Sequence, residues 1–202
     1  HYQVFEDFCA EYGSQVTIEQ FVCNVPDSIV AYNSTDPGTH YQNGFSKSSL
    51  AAGGIRNIKP YTGMKWSVRN VELEVLFTQA DLYPKKLTLY NDSSMAFRMT
   101  VAGQTMLWLG DIQTNASDVI CAMYGENLKS DMVQVSHHGG NGATEQLYTL
   151  IRPTVAFWPC DRANYQGYIR HFPASDLLAN RLGVKENIVA DPDHTLTFPF
   201  LS

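Results

Sequence analysis

The run Met106-Leu107-Trp108-Leu109 carries no polar residue at either parity. A strand with one face in water alternates apolar and polar side chains, so an unbroken apolar strand must be covered on both faces. Met132-Val133-Gln134-Val135-Ser136 is nearly as apolar, and helix-like segments flank it. Upstream the pattern changes. Val71, Leu73, Val75 and Phe77 alternate with Glu72 and Glu74. Met95, Phe97, Met99 and Val101 alternate with Ala96, Arg98 and Thr100, and Ala102-Gly103-Gln104 then turns the chain back. Hairpins followed by strand–helix repeats predict an α/β fold built on a mixed sheet, with helices on one side.

The remaining segments fit this plan. Val4, Phe5, Phe8, Cys9 and Tyr12 share one face of an opening helix that Gly13 can stop. Val16 to Cys23 reads as a strand, and 24–61, rich in Asn, Ser, Gly, Asp and Pro, as a long connection. Trp66 to Gln79 reads as one strand. Ser117 is placed to cap a helix carrying Val119, Ile120 and Met123. A helix over Thr144–Ile151 and a strand over Thr154–Trp158 come next, then a Tyr- and Arg-containing loop. Pro173 and Gly183 bracket a further helix, and strands at Asn187–Ala190 and Thr195–Phe200 finish the chain.

Composition narrows the function classes. The 202 residues suit one domain, 1–202. Fourteen basic against twenty acidic residues give a net charge of −6, which argues against attachment to nucleic acid or anionic lipid by bulk charge. No apolar run approaches the ~20 residues of a membrane-spanning helix, and a soluble protein of unassigned compartment is expected. No Gly-rich phosphate loop follows a strand, and no G-x-S-x-G elbow is present. Cys9, Cys23, Cys121 and Cys160 lack metal-ligand spacing and read as buried or half-buried thiols. A hydrolase built on Cys160 and a histidine has no helix N-terminus or elbow to support it.

Ligand-type residues recur where buried strands end. Asp111 follows Leu107-Trp108-Leu109-Gly110, and His137-His138 follow the Met132 strand. His171 precedes the Pro173 helix. One Asp after a Gly is more often a turn or cap, and one His is weak evidence. An adjacent imidazole pair is harder to justify by packing. Gly139, Gly140 and Gly142 let the backbone there approach something closely. Strand ends of an open α/β sheet gather at one edge, where an Asp and several His suit a divalent metal with nitrogen and oxygen ligands. His40 reads as solvated and His194 as structural.

The order Asn91-x-Ser93-Ser94, apolar strand, Gly103, second apolar strand into Leu109-Gly110-Asp111, then Val133-x-Val135-Ser136-His137-His138-Gly139-Gly140 resembles the metallo-β-lactamase superfamily. Within it, the pattern is similar to the hydrolase-like domain of bacterial DNA-uptake channel proteins and its free-standing relatives. His171-Phe172-Pro173 stands where that branch has a His-Pro motif, with one residue inserted. The resemblance implies an αββα sandwich and one or two zinc or manganese ions. Asp111, His137 and His138 then match catalytic and metal-binding positions, and His171 the late histidine near the site. It also implies cleavage of an ester-type bond, a phosphodiester first, by metal-bound hydroxide.

The superfamily's His-x-His-x-Asp-His run is absent. His1, followed by a helix, is either the last ligand of such a run or the remnant of a tag. The expectation is the C-terminal portion of one such domain, inactive alone. Its partner would be the missing N-terminal part or a second copy covering the sheet face of Val71, Leu73, Met99 and Trp108. A metal-free binding or scaffold module on the same fold is the alternative.

Overall fold

A computed structural model describes residues 3–22, 55–84, 87, 90–191 and 197–199. His1, Cys23, His40, His194, most of the long connection and most of the expected strand at Thr195–Phe200 lie outside the described residues.

Helix α1 (Gln3–Tyr12) is followed by β1 (Gln20–Val22) and β2 (Arg56–Ile58), which pair in parallel as a separate two-stranded sheet. Seven strands form the main sheet in chain order: β3 (Lys65–Val68), β4 (Val71–Phe77), β5 (Ala96–Val101), β6 (Gln104–Trp108), β7 (Met132–Gln134), β8 (Val155–Trp158) and β9 (Glu186–Val189). Pairs from β3 to β6 are antiparallel and those from β6 to β9 parallel. Helices α2 (Thr114–Tyr124), α3 (Glu145–Ile151), α4 (Arg162–His171) and α5 (Pro173–Asp176, continuing through a wide turn to Arg181) link or follow the parallel strands. This is the mixed α/β architecture that the apolar runs predict. Among the described residues, no helix is long and apolar enough to cross a membrane.

The two sheet faces differ. Leu107, Val133 and Ala156 point to the helices and pack with Ala116, Ile120, Leu147, Ile151 and Leu178 in the main core. Through the register Met106–Met132–Val155, the opposite face carries a smaller apolar cluster with Ile188. Met99, Trp108, Phe157 and Phe198 pack against it while staying half-buried. Both faces of β6 are therefore apolar and covered at Met106 and Leu107, as its composition demands.

Three sequence expectations are corrected. Trp66 to Gln79 is two strands, because Arg69-Asn70 makes a two-residue hairpin turn with Arg69 at φ 55°, a break that alternation does not reveal. Ser117 does not cap α2. The helix starts at Thr114, and the Ser117 hydroxyl, one turn inside, donates to the Gln113 carbonyl (2.7 Å). The loop before His171 is helix α4, capped by Asp161, whose carboxylate accepts from Asn164 N (2.7 Å). None of its residues is fully buried, and its short stripe of Tyr165, Tyr168 and Ile169 is only half-covered.

Candidate metal site at the ends of two parallel strands

Strands β6 and β7 run in parallel and end side by side, with Trp108 opposite Gln134. The turn after β6 is organised by side chains from elsewhere. Gln134 Oε1 accepts from Leu109 N (3.0 Å) and Gly110 N (2.7 Å), and its Nε2 donates to Val135 O (2.6 Å) and Gly110 O (3.3 Å). A buried amide in an apolar strand must find such partners, and these fix where Asp111 emerges. Asp111 N donates to Ser94 Oγ (3.1 Å). Buried Asp92 accepts at Oδ1 from Gln113 N (2.6 Å) and Ala116 N (3.4 Å), capping α2 from a distant segment. Burial pushes the Asp92 carboxyl above the usual carboxylate range, outweighing the pull of those hydrogen bonds.

The turn after β7 is distorted in itself. His137 (φ 49°, ψ 41°), His138 (φ 61°, ψ 3°) and Gly139 (φ 100°) lie in succession in left-handed backbone. What the glycines approach closely is the protein itself. A Cβ on Gly139 would stand 2.6 and 2.8 Å from ring carbons of Trp158, and one on Gly142 would stand 2.6 Å from the Ser136 carbonyl oxygen. The two turns are laced together. His137 N donates to Gly110 O (3.0 Å), Ser136 Oγ to Ile112 O (2.6 Å) and Gln113 Nε2 to Asn141 O (2.7 Å).

The adjacent imidazoles meet different surroundings. His138 Nδ1 lies 2.8 Å from the Pro159 carbonyl oxygen. A carbonyl only accepts, so Nδ1 carries the proton, and in the neutral ring Nε2 carries the lone pair. That Nε2 stands 3.7 Å from Asp111 Oδ1, beyond hydrogen-bond range, and the two side chains are 30% and 25% exposed. His137 Nδ1 lies 3.1 Å from the Asn141 carbonyl oxygen, and its Nε2 lies 3.2 Å from Asn91 Nδ2, whose amide it accepts. Both His137 nitrogens are thus engaged with the protein.

Asp111 and His138 fit a divalent cation in kind and spacing. Two donors on one tetrahedral zinc stand about 3.3 Å apart. A ring held through Nδ1–H by a backbone carbonyl is the usual support for a ligating Nε2. His171 is exposed at the end of α4 and lines a separate cleft. Among the described residues, no group of three His, Cys, Asp or Glu side chains is placed to hold a metal ion. Cys160 is no ready nucleophile, since burial, aided by Asp161, pushes its thiol up to about 11.

Asn91, Asp92, Ser94 and Gln134 were not singled out as individual organisers from sequence. Gln134 was detectable as the one amide inside an apolar strand.

No family model matches the chain, and no curated protein matches it. Among solved structures it is similar to the metallo-β-lactamase fold protein YhfI from Bacillus subtilis, at 10% identity and TM-score 0.45, over 93% of this chain and 69% of that one. A Thermotoga maritima candidate zinc-dependent hydrolase of the metallo-β-lactamase superfamily matches at 11% identity and TM-score 0.35, over 59% of this chain and 62% of its own. CmlA, a diiron β-hydroxylase from Streptomyces venezuelae, matches at 11% identity and TM-score 0.39, over 75% of this chain and 35% of its own.

Proposed function

We propose that the chain carries part of the metal centre of a metal-dependent hydrolase acting on an ester-type bond, a phosphodiester being the first candidate. The observation behind this is the pairing of Asp111 Oδ1 with the oriented Nε2 of His138, 3.7 Å apart on a solvent-accessible rim. Zinc or manganese suits this nitrogen and oxygen pair, and either ion when bound would polarise the scissile bond and acidify water. Asp111 and His138 hold it. Gln134 and Ser94 aim the Asp111 backbone, and the Pro159 carbonyl sets the His138 tautomer.

His137 acts as a strut in this scheme, tying Asn91 to the turn. Further ligands come from outside the described residues, His1 being the first candidate, or from a second chain. A partner of either kind also suits the half-buried Met99, Trp108 and Phe157 on the sheet face opposite the main core.

Calorimetric titration of the chain with zinc and with manganese tests the assignment. Binding should weaken at least tenfold in both Asp111→Asn and His138→Gln, with thermal stability of the apo-protein little changed. No metal binding by the chain, or binding indifferent to both substitutions, would overturn it. That outcome favours a metal-free binding module, a reading supported by the full engagement of the His137 nitrogens.

A further inference from the structure

Helices α4 and α5, with the turn that continues α5, border an open cleft of about 830 Å³. Small-molecule sites span roughly 300–1,000 Å³. Its wall combines apolar Ile169, Phe172 and Pro173 with the polar ends of Gln166, Arg170 and His171. Two further charged residues, Arg181 and Asp176, largely cancel. Arg181 Nε lies 3.0 Å from Asp176 Oδ2, and its Nη2 lies 3.3 Å from Glu145 Oε1. Asp176 Oδ1 also accepts from Asn180 Nδ2 (2.9 Å). Arg170 has no carboxylate within 4 Å among the described residues, so the cleft keeps a guanidinium whose charge is not compensated locally. This occurs in a chain with a net charge of −6.

We propose that this cleft binds a small organic anion. Its carboxylate or phosphate is taken by Arg170, with Gln166 and His171 beside it, and its apolar body lies against Phe172 and Ile169. Guanidinium groups favour such anions because their donors match two oxygens at once. The volume exceeds what an inorganic ion fills, and the apolar wall gives a ring or short chain a surface to cover. The site adjoins the turn after β7. Phe172 packs on Tyr168 (centroids 5.9 Å apart), Tyr168 faces the Cβ positions of Gly139 and Gly140, and Ser175 Oγ donates to Gly139 O (2.6 Å). Binding here does not depend on the metal assignment.

The test is a two-dimensional NMR titration of the whole chain with phenyl phosphate, benzoate and, as an uncharged control, benzyl alcohol. Both anions should shift the Gln166, Ile169, Arg170 and Phe172 amides in a saturable way, with benzyl alcohol at least tenfold weaker. The tighter of the two anions identifies the preferred group. Arg170→Gln should weaken both anions about tenfold without moving the melting temperature, because Arg170 is exposed and pairs with no carboxylate among the described residues. Arg170→Lys should recover part of the loss. Absence of shifts at these amides, equal binding of the alcohol, or unchanged affinity in Arg170→Gln would each overturn the proposal.

Discussion

The turns after β6 and β7 bring ligand-type residues to one rim by opposite means. Leu109–Gln113 is shaped from outside, by Gln134, Ser94 and Asp92. Ser136–Gly142 is shaped chiefly by its own backbone, with three successive residues in left-handed conformation and Gly139 lying against Trp158. The first turn borrows its rigidity, so its tolerance to change is decided at distant positions. The second depends on its own residues. Substitutions that break one device and spare the other measure the difference.

Gly139→Ala should have the largest effect. Its Cβ would meet the Trp158 ring at 2.6 Å, and φ 100° is closed to alanine. Trp158 has little room to yield, because Tyr165 packs edge-on at 4.9 Å and Trp158 Nε1 donates to Asn187 Oδ1 (2.9 Å). Overpacking and backbone strain together predict a loss of about 3 kcal/mol in urea unfolding. A loss below about 1 kcal/mol would show that the turn is not set by this contact.

Gln134→Leu keeps the side-chain volume but leaves the Leu109 and Gly110 amides without their acceptor. Unsatisfied buried donors predict a loss of about 2 to 3 kcal/mol. Hydrogen exchange should speed up at 109–110 more than at 139–140. Equal acceleration in both turns would mean that they behave as one unit.

Asp92→Ala removes the remote cap of α2, with an expected loss of about 1 to 2 kcal/mol. The pH dependence has a definite sign. The carboxyl of Asp92 is raised in the folded state, so the native protein holds that proton more tightly than the unfolded chain. Its contribution is therefore complete below the ordinary carboxylate range and falls as pH rises through the raised folded value. Asp92→Asn should flatten that slope, which urea titrations across the acidic range would resolve.

These devices also explain what was readable beforehand. The apolar runs at Met106 and Met132 predict two buried strands; the structure pairs them in parallel and places Asp111 and His137-His138 in the turns that follow. Alternation located β4 and β5 but ran through the Arg69-Asn70 turn, since a tight turn need not disturb parity. Helix α4 is harder to read because its apolar positions, Tyr165, Tyr168 and Ile169, are only half-buried and interleave with Arg162, Asn164, Gln166, Gly167 and Arg170. Sequence also treated His137 and His138 as equivalents. Their separation depends on Asn91, forty-six residues from His137, which no local pattern connects to it.

The smallest expected effect isolates the backbone of the second turn. His138→Ala and His138→Gly both delete the imidazole and its bond to the Pro159 carbonyl, so that loss is common to the pair. They differ in what φ 61° costs. Alanine pays about 1 to 2 kcal/mol in left-handed backbone, and glycine pays almost nothing there. Against this, glycine loses roughly 0.5 to 1 kcal/mol more conformational freedom on folding. The net expectation is that His138→Gly is the more stable variant by about 0.5 to 1 kcal/mol in urea unfolding. If alanine proved equal or better, the left-handed geometry would carry no strain, and the turn would be held by its contacts alone, as its neighbour is.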